Sequence, residues 1–173
     1  MKKSVFACLF LSLSMHGLAC EDDSVAIRYL SAIDGMNWAQ MSSLLAENAH
    51  YTDPTMIYFD RPAIDLIGRD DIVEFWRSSS EDSGTSDIGY TVTACFETAG
   101  YHMVNLDIAI TVSGKFWNVN KDEIVMPGKV ISLIRVQDDA VIEHHDFVGY
   151  AGTESFIAEL QQRYGTASKD SGQ

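Results

Sequence analysis

Apolar side chains recur every three or four positions in much of the first half of the chain and alternate with polar ones in much of the second half. The first period belongs to helices and the second to half-buried strands. From Ser24, the spacing of Ala26, Tyr29, Leu30 and Ile33 predicts an amphipathic helix that stops at Gly35. Asn37, with Gln40 three residues on, caps a second short helix whose inner stripe is Trp38, Met41, Leu44 and Leu45. Residues Ala49 to Thr52 read as a short strand closed by Asp53-Pro54, and a loop containing Pro62 follows. GRDDIVEFWRSS, starting at Gly68, predicts a third helix with Asp70 and Asp71 at its positive end and Ile72, Phe75 and Trp76 inward. The polar, glycine-containing run Ser78 to Ser86 is expected to be a mobile loop.

Period two then predicts long strands over Ile88–Thr98, Tyr101–Ser113, Val125–Val136 and Ala140–Val148, with turns at Ala99-Gly100 and Asp138-Asp139. A polar connection from Lys115 to Glu123 carries Phe116 and Trp117. A last helix is expected from a Thr153 cap to Gly165, bearing Phe156, Ile157, Leu160 and Tyr164. Helices followed by consecutive antiparallel strands make an α+β fold, with helices on one face of a strongly curved, mainly antiparallel sheet that closes into a cone.

One strand breaks its own pattern. VIEHHDFVGY, residues 141–150, places Glu143, His144, His145 and Asp146 where a buried strand carries valines. Alternation puts Ile142, His144, Asp146 and Val148 on one face, and a face mixing apolar and ionisable groups suits the wall of a ligand pocket.

Charge and cysteines narrow the setting. Twenty-five acids against 12 basic residues give a net charge of −13, a field that repels phosphate backbones and argues against a nucleic-acid partner. Lys2 and Lys3, the apolar run Val5–Met15 and Gly17-Leu18-Ala19 form a signal peptide over residues 1–19. The chain is therefore expected to be exported, to the periplasm or the outside, with one domain over 20–165 and a flexible tail over 166–173. Cys20 would then be the first mature residue. It is open to acylation, which would tether the protein to a membrane, to pairing with Cys95, or to remaining free. No spacing of Cys and His suggests a metal site.

RYLSAIDGMNWAQMSSLLAENAHYTDP, then GRDDIVEFW, then strands ending in VIEHHDFVGY, resembles the NTF2-like superfamily and, within it, the SnoaL-like and ketosteroid-isomerase-like branch. The resemblance implies a cone-shaped fold and offers three templates for a site. The isomerase pattern puts a base at Asp53, an oxyanion donor at Tyr29 and, where it has an aspartic acid, Ser132. The epoxide-hydrolase pattern maps to Tyr51, Asp53, Asn105, Asp107 and Asp146, with Asn105 standing where that pattern has arginine. The cyclase pattern implies an acid/base aspartate near Asp146 with His144 beside it.

Taken together, Asp146 and Asp53 are the acid/base candidates and His144 and Asp107 their tuners. Tyr29, Tyr51, Asn105, Ser132 and Trp76 are the substrate-binding candidates. If Asp53, Asp107 and Asp146 converge in a poorly hydrated cone, burial and mutual repulsion should raise at least one carboxyl pKa. Met103, Asn105, Asp107 and Ala109 would line the pocket, leaving Val104, Leu106, Ile108 and Ile110 for a homodimer interface on the outer sheet face. Plainer readings compete: Asp53 making a local turn bond, Tyr29 serving as a core tyrosine, and His50, His102, Glu143 and His145 lying on outer faces. The expected activity is cofactor-independent proton transfer, of isomerase, cyclase or hydrolase type, on a small apolar, carbonyl-bearing or cyclic molecule. The alternative is a non-catalytic ligand-binding or dimerisation module.

Overall fold

The computed structural model describes residues 20–59 and 61–167, so residues 1–19, where a signal peptide is expected, and most of the tail lie outside the described residues. Four helices, α1 (Val25–Asp34), α2 (Trp38–Leu44), α3 (Arg69–Ser83) and α4 (Thr153–Tyr164), accompany one six-stranded sheet. Its strands are β1 (Leu45–Asp53), β2 (Ile64–Ile67), β3 (Asp87–Thr98), β4 (Tyr101–Ser113), β5 (Glu123–Gln137) and β6 (Ala140–Val148), in the order β2-β1-β6-β5-β4-β3. β1 and β6 pair in parallel and every other neighbour is antiparallel.

The capping chemistry works as expected at the start. Ser24 Oγ accepts from Ile27 N at 3.4 Å, and Asn37 Oδ1 accepts from Gln40 N at 3.1 Å. Both hairpin turns hold two consecutive left-handed residues, Ala99-Gly100 and Asp138-Asp139, the geometry that matches the twist of paired strands. At Gly100 a side chain would meet the Val136 carbonyl at 2.9 Å, so glycine is required there.

Four local expectations change. Ser78–Ser83 is helical, because Ser80 Oγ donates to Trp76 O at 2.8 Å and Ser83 Oγ to Ser79 O at 2.7 Å, which satisfies hydroxyls that would otherwise compete with the helix; only at left-handed Gly84 does it end. β1 extends back to Leu45, and a 3₁₀ turn (Pro54–Phe59) with the short edge strand β2 fills much of the Pro62 loop. Thr153 lies inside α4, whose cap is Gly152. A register shift between Arg135 and Val136 makes Val141, rather than Ile142, the buried partner in that row.

The main core joins α1, α2 and Ile72 of α3 to the concave face through Tyr29, Ile33, Met41, Val104, Leu106, Ile134 and Val141. A second cluster under α4 holds Val112, Val119, Ile124 and Ile157. The faces of β4 are thus opposite to the expected ones. Val104 and Leu106 are buried, with Ile108 and Ile110 packed against the core, while Met103, Asp107 and Ala109 point outward. The helices select the more apolar face, since burying it removes more hydrocarbon from water.

Candidate functional site

The concave face of β6 carries the site. Tyr51 on β1 pairs with His144, and Ser132 on β5 pairs with Asp146. Two residues beyond Tyr51 comes Asp53, as Asp146 comes two beyond His144, so alternation sends all four inward. Asp53, Ser132, His144 and Asp146 are at most 5 % exposed.

Asp146 is held by three donors. Its Oδ1 accepts from Ser132 Oγ at 2.5 Å and from His144 Nε2 at 2.8 Å, and its Oδ2 accepts from Tyr51 Oη at 3.2 Å. An ionised carboxylate only accepts, so Nε2 carries the imidazole proton and Nδ1 is left to accept from Tyr29 Oη at 3.1 Å. Tyr29, His144 and Asp146 therefore form a buried relay of phenol, imidazole and carboxylate running from α1 into the sheet. Burial acts to raise the Asp146 pKa, but electrostatic attraction to His144 and hydrogen bonds from His144, Ser132 and Tyr51 outweigh it and hold the carboxyl below its ordinary value. Of the three carboxyls expected to converge and raise at least one pKa, Asp146 is thus lowered.

Asp53 forms a second polar knot. Its Oδ1 accepts from Thr55 N at 2.8 Å and from the Thr55 hydroxyl, the local turn bond, while Oδ2 accepts from Tyr150 Oη at 2.9 Å. Thr55 Oγ1 in turn accepts from Val148 N at 3.0 Å, which ties the turn after β1 to the end of β6. Asp53 is thus both a turn residue and part of the inner face.

Asp107 is elsewhere. It lies on the convex face, exposed, paired with Lys129 Nζ at 2.6 Å, and it does not join Asp53 and Asp146. Asn105 shares that outer face, so the epoxide-hydrolase pattern is not assembled. His102 departs in the other direction: it is buried on the concave face, in the β4 row opposite Ile134, which also pairs with His144.

Aromatic rings close the site. The Tyr51 ring lies 5.0 Å from His144, 5.7 Å from Trp76 and 5.9 Å from Phe75. Burial first, then the negative charge of Asp146, pushes the phenols of Tyr29, Tyr51 and Tyr90 well above their usual ionisation range. Burial and the charge of Asp53 raise Tyr150 as well. All four phenols therefore stay neutral donors at physiological pH. Tyr90 and Tyr150 were not among the expected site residues. The alternation of β3 places Tyr90 with Ile88 on the inner face, a readable signal, whereas the contact of Tyr150 with Asp53 spans 97 residues and has none.

The SnoaL-like domain profile matches residues 12–144. The chain belongs to the SnoaL-like domain family. No curated protein matches its sequence. Solved structures place this SnoaL-like chain in the NTF2-like, cone-shaped α+β fold. A protein of Shewanella denitrificans OS-217 assigned as a SnoaL-like polyketide cyclase superimposes with a TM-score of 0.65 at 15% identity, over 80% of this chain and 95% of that one. A protein of Catenulispora acidiphila DSM 44928 with a ketosteroid isomerase-like fold, solved with trimethylamine, gives 0.60 at 12% identity, over 84% and 95%. AclR of Streptomyces galilaeus, assigned as a hydroxylase, gives 0.60 at 12% identity, over 79% and 94%.

Proposed function

We propose that this SnoaL-like domain binds a small, largely apolar molecule in the cone and moves a proton on it, with His144 as the base, Tyr29 as the relay and Asp146 as the group that orients them. The observation that carries this reading is the continuous Tyr29–His144–Asp146 hydrogen-bond chain, buried and anchored by Ser132 and Tyr51. A carboxylate behind an imidazole fixes its tautomer and stabilises the imidazolium that forms when it accepts a proton. In the step we envisage, a proton leaves carbon next to a carbonyl and passes to Tyr29 Oη as the phenol proton passes to His144 Nδ1. Its return at another carbon makes the net reaction an isomerisation; where the enolate carbon attacks a second carbonyl of the same molecule, its return to the new alkoxide oxygen makes the net reaction a ring closure. Asp53, already accepting from Tyr150, is the second carboxylate available to hold the ligand's polar end.

Two placements accompany the proposal. The leader over residues 1–19 and the Cys20–Cys95 disulfide, with Cα atoms 5.4 Å apart, support export to an oxidising compartment. A Cys20 sulfur joined to Cys95 is not free to carry a lipid thioether. The exposed Phe96, Met103, Ile131 and Phe147 on the convex face support a homodimer through that surface.

The test is exchange of α-protons for deuterium in a panel of ketones, followed by NMR. Wild-type protein should accelerate exchange for at least one compound, and His144→Ala and Asp146→Asn should abolish it. Binding without exchange would favour the alternative, a ligand-binding module, and undiminished exchange in Asp146→Asn would overturn the assignment.

A further inference from the structure

Tyr29 reaches His144 from a helix whose hold on the sheet is mostly apolar. The buried residues of α1 are Ala26, Tyr29, Leu30, Ala32 and Ile33. Apolar burial is non-directional, so it presses α1 onto the sheet without fixing where the helix stands along its own axis. A slide of about 1 Å would carry the Tyr29 hydroxyl, now 3.1 Å from His144 Nδ1, out of hydrogen-bond range. Directional contacts are needed to hold the helix in place.

Two such contacts exist, one at each end of α1, and both reach the edge strand β3. Before the helix, Cys20 is bonded to Cys95. Ser24 N donates to Glu21 O at 3.1 Å, a turn that keeps Cys20 close to the start of α1. At the other end Asp34, the last residue of α1, accepts from Tyr90 N through Oδ1 at 2.6 Å. β3 ends the sheet, so no described strand uses the N–H groups on its outer side, and Asp34 takes this one. The lengths agree. The 10 residues of α1 span about 15 Å, and the stretch of β3 from Tyr90 to Cys95 spans about 16 Å. α1 therefore lies along β3, antiparallel to it, clamped at both ends with Tyr29 midway. Neither clamp belongs to the relay, so both act on it through the helix.

We propose that Asp34 and the Cys20–Cys95 disulfide are positioning residues for the relay: they set the axial place of α1 and thereby hold Tyr29 against His144. The inference rests on the relay reading above and adds the residues that keep the relay in register. Asp34, Cys20 and Cys95 position; none of them is given a proton-transfer role.

The experiment records the ring nitrogens of His144 by NMR in the disulfide-bonded chain, with exchange of ketone α-protons measured alongside. Asp34→Ala, and separately reduction by tris(2-carboxyethyl)phosphine, should shift the His144 Nδ1 resonance toward that of an imidazole nitrogen that accepts no hydrogen bond. Each should also slow exchange by about tenfold or more. Asp34→Asn keeps an acceptor oxygen in place and should retain the wild-type resonance, which separates the bond from the charge. Ser24→Ala removes the α1 cap, lowers Tm as a purely structural change does, and should leave both readouts at wild type. A His144 resonance unmoved in Asp34→Ala would overturn the role of Asp34, and one unmoved by reduction the role of the disulfide. An equal shift in Ser24→Ala would overturn both, and so would an Asp34→Ala or reduced chain with no folded fraction, since the contact would then serve the fold as a whole. If wild type exchanges no ketone while the resonance moves as expected, the positioning stands and the proton-transfer reading falls.

Discussion

His144 and Asp146 stand two residues apart on β6, and their side chains meet at 2.8 Å, Nε2 to Oδ1, beneath a helix that covers both from water. Neighbours at that spacing on a strand share a face, so the pair is local, but its two outer partners, Tyr29 and Tyr51, arrive from 115 and 95 residues away.

The first consequence is for acid stability. The Asp146 carboxyl sits below its ordinary value in the folded chain, so the unfolded chain binds its proton first, near the usual pKa of about 3.9. The stabilisation is complete above that pH and is lost as pH falls through the lower, folded value. Urea midpoints measured from neutral pH down to strongly acid pH should therefore fall more steeply for wild type than for Asp146→Asn. At neutral pH the variant should be about 2–4 kcal/mol less stable, because an amide cannot accept from all three donors. Matching pH profiles would refute the assignment.

At the alkaline end the sign reverses. Tyr29 and Tyr51 ionise well above their ordinary value when folded, so their stabilisation is intact below the unfolded value of about 10 and declines as pH rises past it. Each should contribute a loss of about 1.4 kcal/mol per pH unit above that point. Ultraviolet titration of tyrosinate should show these phenols ionising only with unfolding, and Tyr29→Phe should flatten the decline by one tyrosine's share.

The disulfide clips the start of the described chain to the edge strand β3 across a sequence separation of 75. Loop-closure entropy for a ring of that size corresponds to about 4 kcal/mol. Reduction should thus lower Tm by on the order of 10 °C. Cys20→Ser, Cys95→Ser and the double variant should all be equally destabilised, as thermal melts with and without reductant can check.

On the convex face two substitutions should separate packing from association. Asp107→Ala removes an exposed pair with Lys129 and should change stability by less than about 1 kcal/mol, with proton exchange on ketones unaffected. Phe147→Glu should leave the fold intact and shift sedimentation from dimer to monomer. A wild-type protein sedimenting as a monomer at high concentration would remove the homodimer.

The sequence by itself determined the four helices, the long strands β3 to β6, both hairpin turns and the inward pair His144 and Asp146, because these follow from short-range alternation, capping and turn chemistry; the helical Ser78–Ser83 and the edge strand β2 within the expected loops were not legible in it. It also carried the family resemblance through the order of its segments. Tertiary structure alone decided which face of β4 became core, and so removed Asn105 and Asp107 from the site. Alternation separates two faces but does not say which one the helices will cover; that depends on which burial removes more apolar surface from water. The same packing brought Tyr150 to Asp53 and Tyr90 to the neighbourhood of Asp146, and surrounded Asp146 with donors that lower its pKa where burial alone would have raised it.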